Sequence, residues 1–354
     1  MGAVEFLFPL LNLPEKAKKY VLQQMPIVDQ TAYSFISAST KNSIAALESN
    51  RPDQIVITIS NIIGIRVYRS HNQPRIDFRI FNEESDQITP ESNVLPIPKF
   101  IDISTPLNGV EQTSQMTNYN GLGLKQCLDH FLDLFPPNKC PVLNKTQMTF
   151  QSTEREIFPT DLLHDAFKGW DVKEIHIETQ FYERLIKKLL LKTEVCYIFR
   201  RSPFRNDSDI FIQNFSQLSN IRFITLNNLL MVNSSVFSGV ATFKESHLNR
   251  FLKCWLRGSN PRLKELRLHI VSRPRTRLKV NLVLQGINHS VATEEEMKER
   301  GQFQKLIFPP VYPPALSYEV FGWNIRRIID GQEATVVFIT DISSFEMFLF
   351  VDNC

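Results

Sequence analysis

The sequence predicts a mixed α and β protein. Three helices come first, then a strand-rich region, then a leucine-rich-repeat-like α/β unit, and last a C-terminal β-hairpin segment. Three observations support this. Apolar residues recur at helical spacing through the first fifty positions. The period drops to two from Arg51. After Trp170, short apolar strands alternate with helical segments at loosely regular intervals. The expected segments are 5–50, 51–150, 151–285 and 286–354.

Pro14 opens the first helix, because a proline's missing N–H needs no partner in a first turn. Ala17, Tyr20, Val21 and Met25 follow on one helical face, and Pro26 ends the helix. Asp29 is expected to cap a second helix with Ala32, Phe35 and Ile36 turned inward. Thr40 is expected to cap a third, which carries Ile44, Ala45 and Leu47. Three helices this short bury little surface by themselves, so the unit needs a neighbour or a partner.

Ile55–Ile59, Ile63–Tyr68 and Arg75–Phe81 read as strands, with a bulge at Gly64. Phe100–Ile103 is strand-like, and a polar loop is expected from there to Asn120. Leu124, Cys127, Leu128, Phe131 and Phe135 mark a helix face, and Thr160–Phe167 a further helix. In the repeat region, strands are expected at Lys173–Ile177, Glu194–Phe199, Asn220–Leu226 and Leu263–Ile270. Ile175, Cys196, Phe223 and Leu266 are taken as equivalent positions, with an insertion before the last. That insertion holds a helix through Leu248, Phe251, Leu252, Trp255 and Leu256, capped by Ser246 and stopped by Gly258. The tail reads as Tyr318–Ile329 and Ala334–Ile339 around an Asp330-Gly331 turn, then a strand at Phe345–Val351.

Hydrophobic residues make up 43% and charged residues 22%, which is globular composition. The 27 phenylalanines outnumber the 8 tyrosines and 3 tryptophans, so most aromatic side chains lack a polar handle and suit cores. The net charge of +3 does not demand a nucleic acid. Basic residues do gather between Arg250 and Lys279. This stretch reads either as a groove for an acidic partner or phosphate backbone, or as a solvated outer face, and the second is preferred. The five cysteines contain no CxxC and are odd in number, as expected of reduced thiols in a cytosolic or nuclear protein. The first residues make a poor signal peptide, and no apolar run reaches the ~18 residues of a membrane span.

Motifs for chemistry are sparse. Cys127, His130 and Cys140 come nearest to a metal site, but a fourth ligand is missing and Cys127 sits on an apolar helix face, so a core thiol is preferred. Gly121-x-Gly123 suits a plain helix start better than a phosphate loop. Asp129/Asp133 and Asp161/Asp165 suit solvated helix faces. No cofactor, metal or catalytic residue is therefore expected.

Three blocks carry a family resemblance. Phe8-Pro-Leu-Leu11, Leu13-Pro14, Val21-Leu22, Met25, Phe35-Ile36 and Ser39-Thr-Lys41 resemble an F-box of the nematode kind. Leu248–Trp255 through Gly258–Leu263 are similar to the type 2 F-box-associated domain of nematode F-box proteins. Trp323–Thr335 and Phe345-Glu-Met347 resemble the tail of the same family. The sequence departs from the pattern at Thr31–Phe35, where a leucine-rich second helix is usual, and at Ile329, where a polar residue is usual.

The resemblance implies a non-catalytic, substrate-recruiting subunit of a cullin-type (SCF) ubiquitin ligase. Its F-box would dock on a Skp-type adaptor, and through it on a cullin, by Leu11, Leu13, Pro14, Val21, Leu22, Phe35 and Ile36. Its C-terminal region would hold an unknown protein target. The alternatives are an enzyme assembled from distant residues, a nucleic-acid-binding module, or an F-box-derived interaction protein outside any ligase. On the target side, His176, Arg222, Thr225, Arg267 and His269 are expected to point outward from one sheet face, beside a loop with Arg273, Arg275 and Arg277. That excess of arginine would favour an acidic target.

Overall fold

The computed structural model describes residues 10, 13–47, 54–68, 76–82, 97–98, 100–107, 110–117, 121–135, 145–151, 157–199, 208–271, 278–293, 295–296, 319–340 and 344–352. They belong to two units, Met1–Lys173 and Glu174–Cys354.

The first unit opens with three helices, α1 (Glu15–Gln24), α2 (Ile27–Ser34) and α3 (Ala38–Ala45). Pro14 and Pro26 stand directly before α1 and α2 with φ of −53°. The proline ring presets the first turn, so α2 begins before Asp29, which lies in that turn rather than capping it. Likewise Ser37, not Thr40, caps α3: Ser37 Oγ accepts from the Thr40 N–H at 3.2 Å and Thr40 Oγ1 accepts from the Ser37 N–H at 2.9 Å. The buried faces also differ from the expectation. α1 buries Leu22 and exposes Tyr20, while α2 buries Gln30, Thr31 and Ser34 and leaves Ile36 beyond it 64% exposed. The cause is Gln30, whose Nε2 donates to the Leu22 and Met25 carbonyls, both at 2.9 Å. The Met25 carbonyl lies just past α1, and the Leu22 carbonyl accepts from Gln30 in addition to the Met25 N–H at 3.3 Å, so a polar side chain turns inward to meet the end of the helix.

The sheet of this unit runs β6-β1-β2-β3-β4-β5. Strands β1 (Gln54–Ile59), β2 (Ile62–Tyr68), β3 (Ile76–Asn82), β4 (Phe100–Leu107) and β5 (Val110–Thr117) are antiparallel in succession, and β6 (Lys145–Phe150) joins parallel to β1. The expected bulge lies at Gly64, where a Cβ would meet the Phe78 carbonyl oxygen at 3.2 Å. Strand β5 replaces the expected polar loop. Its VEQTSQMT sequence has no apolar alternation, and its pairing with β4 along the whole strand is what holds it extended. Helix α4 (Leu124–Leu134) buries the face read from the sequence, and Phe131 packs 4.3 Å from Phe78. Helix α5 is Thr160–Ala166.

The second unit begins as strand and helix in alternation: β7 (Val172–Ile177), α6 (Glu183–Leu190), β8 (Val195–Ile198), α7 (Ser208–Phe211), β9 (Gln217–Ile224), α8 (Leu226–Met231), β10 (Val236–Ala241), α9 (Glu245–Leu256) and β11 (Glu265–Val271). Neighbouring strands from β7 to β11 pair in parallel. Ile175, Cys196, Leu218, Phe237 and Leu266 lie in one cross-strand row, and all are buried. The third member is thus Leu218, not Phe223, and the expected insertion contains the strand β10. Its sequence, VFSGVA, alternates small and apolar residues too weakly to stand out. The helix α9 starts after Lys244 rather than Ser246, with the His247 Nδ1 accepting from the Lys244 N–H at 3.3 Å. Gly258 stops it at φ +98°, a conformation open to glycine.

After α10 (Val280–Val283) come β12 (His289–Val291), β13 (Glu319–Arg326), β14 (Glu333–Thr340) and β15 (Ser344–Val351). The Asp330-Gly331 turn joins β13 to β14 as expected, with Gly331 at φ +73°. Strand β15 pairs antiparallel with both β14 and β11, so the tail extends the parallel strands into one sheet.

Phe251, Leu252, Trp255, Leu263, Leu266 and Leu268 are all buried. The Arg327 guanidinium lies 5.2 Å from the Trp255 ring centre and is 4% exposed. We expect Trp255→Ala to lower stability by about 3–5 kcal/mol, the usual cost of deleting a buried large aromatic side chain. Chemical denaturation of the two proteins checks this.

Candidate protein-interaction surfaces

The N-terminal helices present a mixed surface. Pro14 and Ile36 are exposed, and Leu13, Val21 and Phe35 are half-buried. Leu22 is buried in the unit's own core and cannot serve a partner in this conformation. Leu11 lies outside the described residues.

Part of this surface docks on α4. The Phe35 ring stacks on His130 with centroids 3.9 Å apart, and Ser34 Oγ lies 2.9 Å from His130 Nε2. Lys41 Nζ pairs with Asp133 at 2.7 Å. Burial, reinforced by the Lys41 charge and opposed by Asp133, lowers the His130 pKa from 6.5 to about 4. His130 is therefore neutral in the folded protein near neutral pH.

Two of the three candidate metal ligands, Cys127 and His130, lie on α4. Burial alone raises the Cys127 thiol to about 12, and its Sγ lies 3.6 Å from the Leu122 carbonyl. His130 is committed to Ser34 and Phe35, and Cys140 lies outside the described residues. Among the described residues, no group of three or more His, Cys, Asp or Glu side chains could hold a metal ion. Gly123 precedes α4 and donates its N–H to Gln126 Oε1 at 2.9 Å, which is a helix start. Asp129 pairs with Lys125 at 3.3 Å on an open helix face.

In the second unit, alternate residues of the parallel strands are buried, and the intervening ones are half-buried or exposed. His176, Tyr197, Ser238, Arg267 and His269 belong to this second set, although the register is interrupted along β9. Thr225 does not. It caps α8, with its Oγ1 accepting from the Asn228 N–H at 3.2 Å. Arg222 is exposed as expected. Arg267 is already matched: its Nη2 reaches both oxygens of Glu346 at 3.2 and 3.1 Å, and it lies 5.5 Å over the Phe348 ring. His269 Nδ1 stands 3.6 Å from the same carboxylate. Arg273, Arg275 and Arg277 lie outside the described residues. The arginine excess behind an acidic target is thus reduced by Glu346, which comes from β15, a strand far away in sequence.

Two arrangements put residues that the sequence marked for other reasons to unexpected use. Glu174 and His176 on β7 are joined at 2.6 Å, beside the rings of Tyr197 and Phe199. Their alternation along two strands was the available signal. The other is Phe223, which is 76% exposed and has φ +58° next to a register shift between β9 and β10. Nothing in the sequence marks a phenylalanine for left-handed backbone, which bulky residues avoid.

Residues 208–268 match the family described as F-box associated. The matched span runs from α7 through most of β11, so this F-box-associated segment contains Trp255, Phe223 and the centre of the parallel strands. No curated protein and no solved structure matches the chain.

Two measurements follow. His130 binds its proton more weakly folded than unfolded, so its contribution to stability is complete above pH 6.5 and is lost as pH falls towards 4. Urea unfolding at pH 7.5 and pH 5 should show this loss, and His130→Gln should reduce it. Phe223→Gly should raise stability by about 1 kcal/mol, because glycine adopts positive φ without the Cβ clash; thermal unfolding measures the gain.

Proposed function

We propose that the chain is a substrate-recruiting subunit of a cullin-type (SCF) ubiquitin ligase, acting in the cytoplasm or nucleus. The N-terminal helices dock on a Skp-type adaptor, and the F-box-associated segment, read as a leucine-rich-like repeat, holds a protein target. The observation that carries this reading is the family match over residues 208–268. In support, α1–α3 leave Pro14 and Ile36 exposed, as an adaptor-binding surface requires. The subunit contributes no chemistry of its own. The target contacts the sheet face that bears Arg267 and His269.

One observation favours a second reading, an F-box-derived interaction module outside any ligase. Helix α2 turns polar residues inward, and Phe35 is engaged by His130 inside the same unit. Less apolar surface is then left for an adaptor.

Interface energy concentrates in a few buried anchors. Leu13→Ala combined with Pro14→Ala should weaken adaptor binding at least about tenfold, or roughly 1.4 kcal/mol. Calorimetric titration of purified Skp-type adaptor into each protein decides between the readings. If the unsubstituted chain fails to bind adaptor at micromolar concentration, the ligase reading falls and the interaction-module reading stands.

A further inference from the structure

Strand β7, strand β8 and Phe199 just after it bring four side chains together on the less buried face of the second unit. His176 pairs in register with Tyr197, and Glu174 with Val195. The His176 ring centre lies 4.6 Å from that of Tyr197 and 5.6 Å from that of Phe199. The Tyr197 and Phe199 rings are stacked, 6.2 Å apart and inclined by only 21°, and this near-parallel pair makes an aromatic platform beside His176. All three rings are half-buried, which leaves them reachable.

A carboxylate borders this platform. Glu174 Oε1 is bonded to His176 Nε2 at 2.6 Å, and Oε2 is the second acceptor of the same carboxylate. The Tyr197 hydroxyl is bonded to Gln217, and burial together with the Glu174 charge raises its pKa. Gln217 Nε2 in turn donates to Ser219 Oγ at 2.9 Å, which fixes the edge of the platform.

We infer that Glu174, His176, Tyr197 and Phe199 form a binding site for an arginine side chain carried by the target protein. A guanidinium is planar, stacks on aromatic faces and presents a fork of N–H donors to a carboxylate. The platform supplies the faces, and Glu174 Oε2 supplies an acceptor at their border. A phosphate backbone fits poorly, because it would meet the carboxylate. The inference rests on the reading that this unit holds the target. It reverses the expected charge of the contact, from an acidic target segment to a basic one at this position.

The test is saturation-transfer NMR on the full chain, with N-acetyl-arginine methylamide as the probe and the neutral citrulline counterpart as control. The arginine probe should bind, and citrulline should bind at least about tenfold more weakly, as expected when a charge-assisted hydrogen bond is lost. Glu174→Gln, nearly isosteric and still able to bond His176, should weaken arginine binding by a similar factor, and Tyr197→Leu should also weaken it. Equal binding of the two probes, or unchanged binding in both variants, overturns the site. Binding of a single-stranded oligonucleotide that Tyr197→Leu abolishes and Glu174→Gln leaves intact overturns it in favour of a base-stacking platform. Adaptor binding is measured on the same samples. Arginine binding without adaptor binding supports the site and removes only the ligase reading.

Discussion

The second unit depends on burying Trp255 under a charged lid. The indole lies within the unit's core, and the Arg327 guanidinium covers it from the turn between β13 and β14. A buried guanidinium is costly unless it is matched. Asp330 supplies the match, with its oxygens 2.9 and 3.1 Å from Arg327 Nε, and that bond holds the Asp330 carboxyl at about 2. Gln332 adds a second acceptor. The Ile328 N–H then donates to the Leu256 carbonyl at 2.9 Å, which ties the turn to the end of α9. Sequence-distant segments are thereby joined at one point, and β15 can lie against β11. Gly258 fits the same junction, because a Cβ there would meet the Ile329 side chain at 2.4 Å.

A comparable economy operates in the first unit, with polar rather than aromatic closure. Gln30 satisfies the last carbonyls of α1, and Ser34 reaches across to α4. Neutral His130 suits this contact, since a buried imidazolium would lie near Lys41 without full compensation. The helices therefore do not need a partner merely to be ordered. What they offer a partner is the exposed remainder around Pro14 and Ile36.

The element types were largely legible because local period is a direct consequence of one-sided burial. The α4 face and the hairpin at Asp330-Gly331 could be read residue by residue. Strands β5 and β10 could not, because their extended form is imposed by neighbours and not by apolar alternation. The candidate contact residues were legible only as a list of types. Leu22 and Ile36 look alike in sequence, yet one is core and the other surface, a choice made by the inward turn of Gln30.

By itself the sequence determined the three opening helices, the core residues of α4 and α9, the stop at Gly258 and the likeness to F-box-associated proteins. These follow from spacing, from backbone preference and from short runs of neighbouring residues. Tertiary structure alone decided which charges remain available. Glu346 matches Arg267 across a strand pair formed by residues 79 apart, and Glu174 meets His176 beside two rings from the next strand. Charge complementarity acts over a few ångströms in space, and no spacing rule along the chain carries that information.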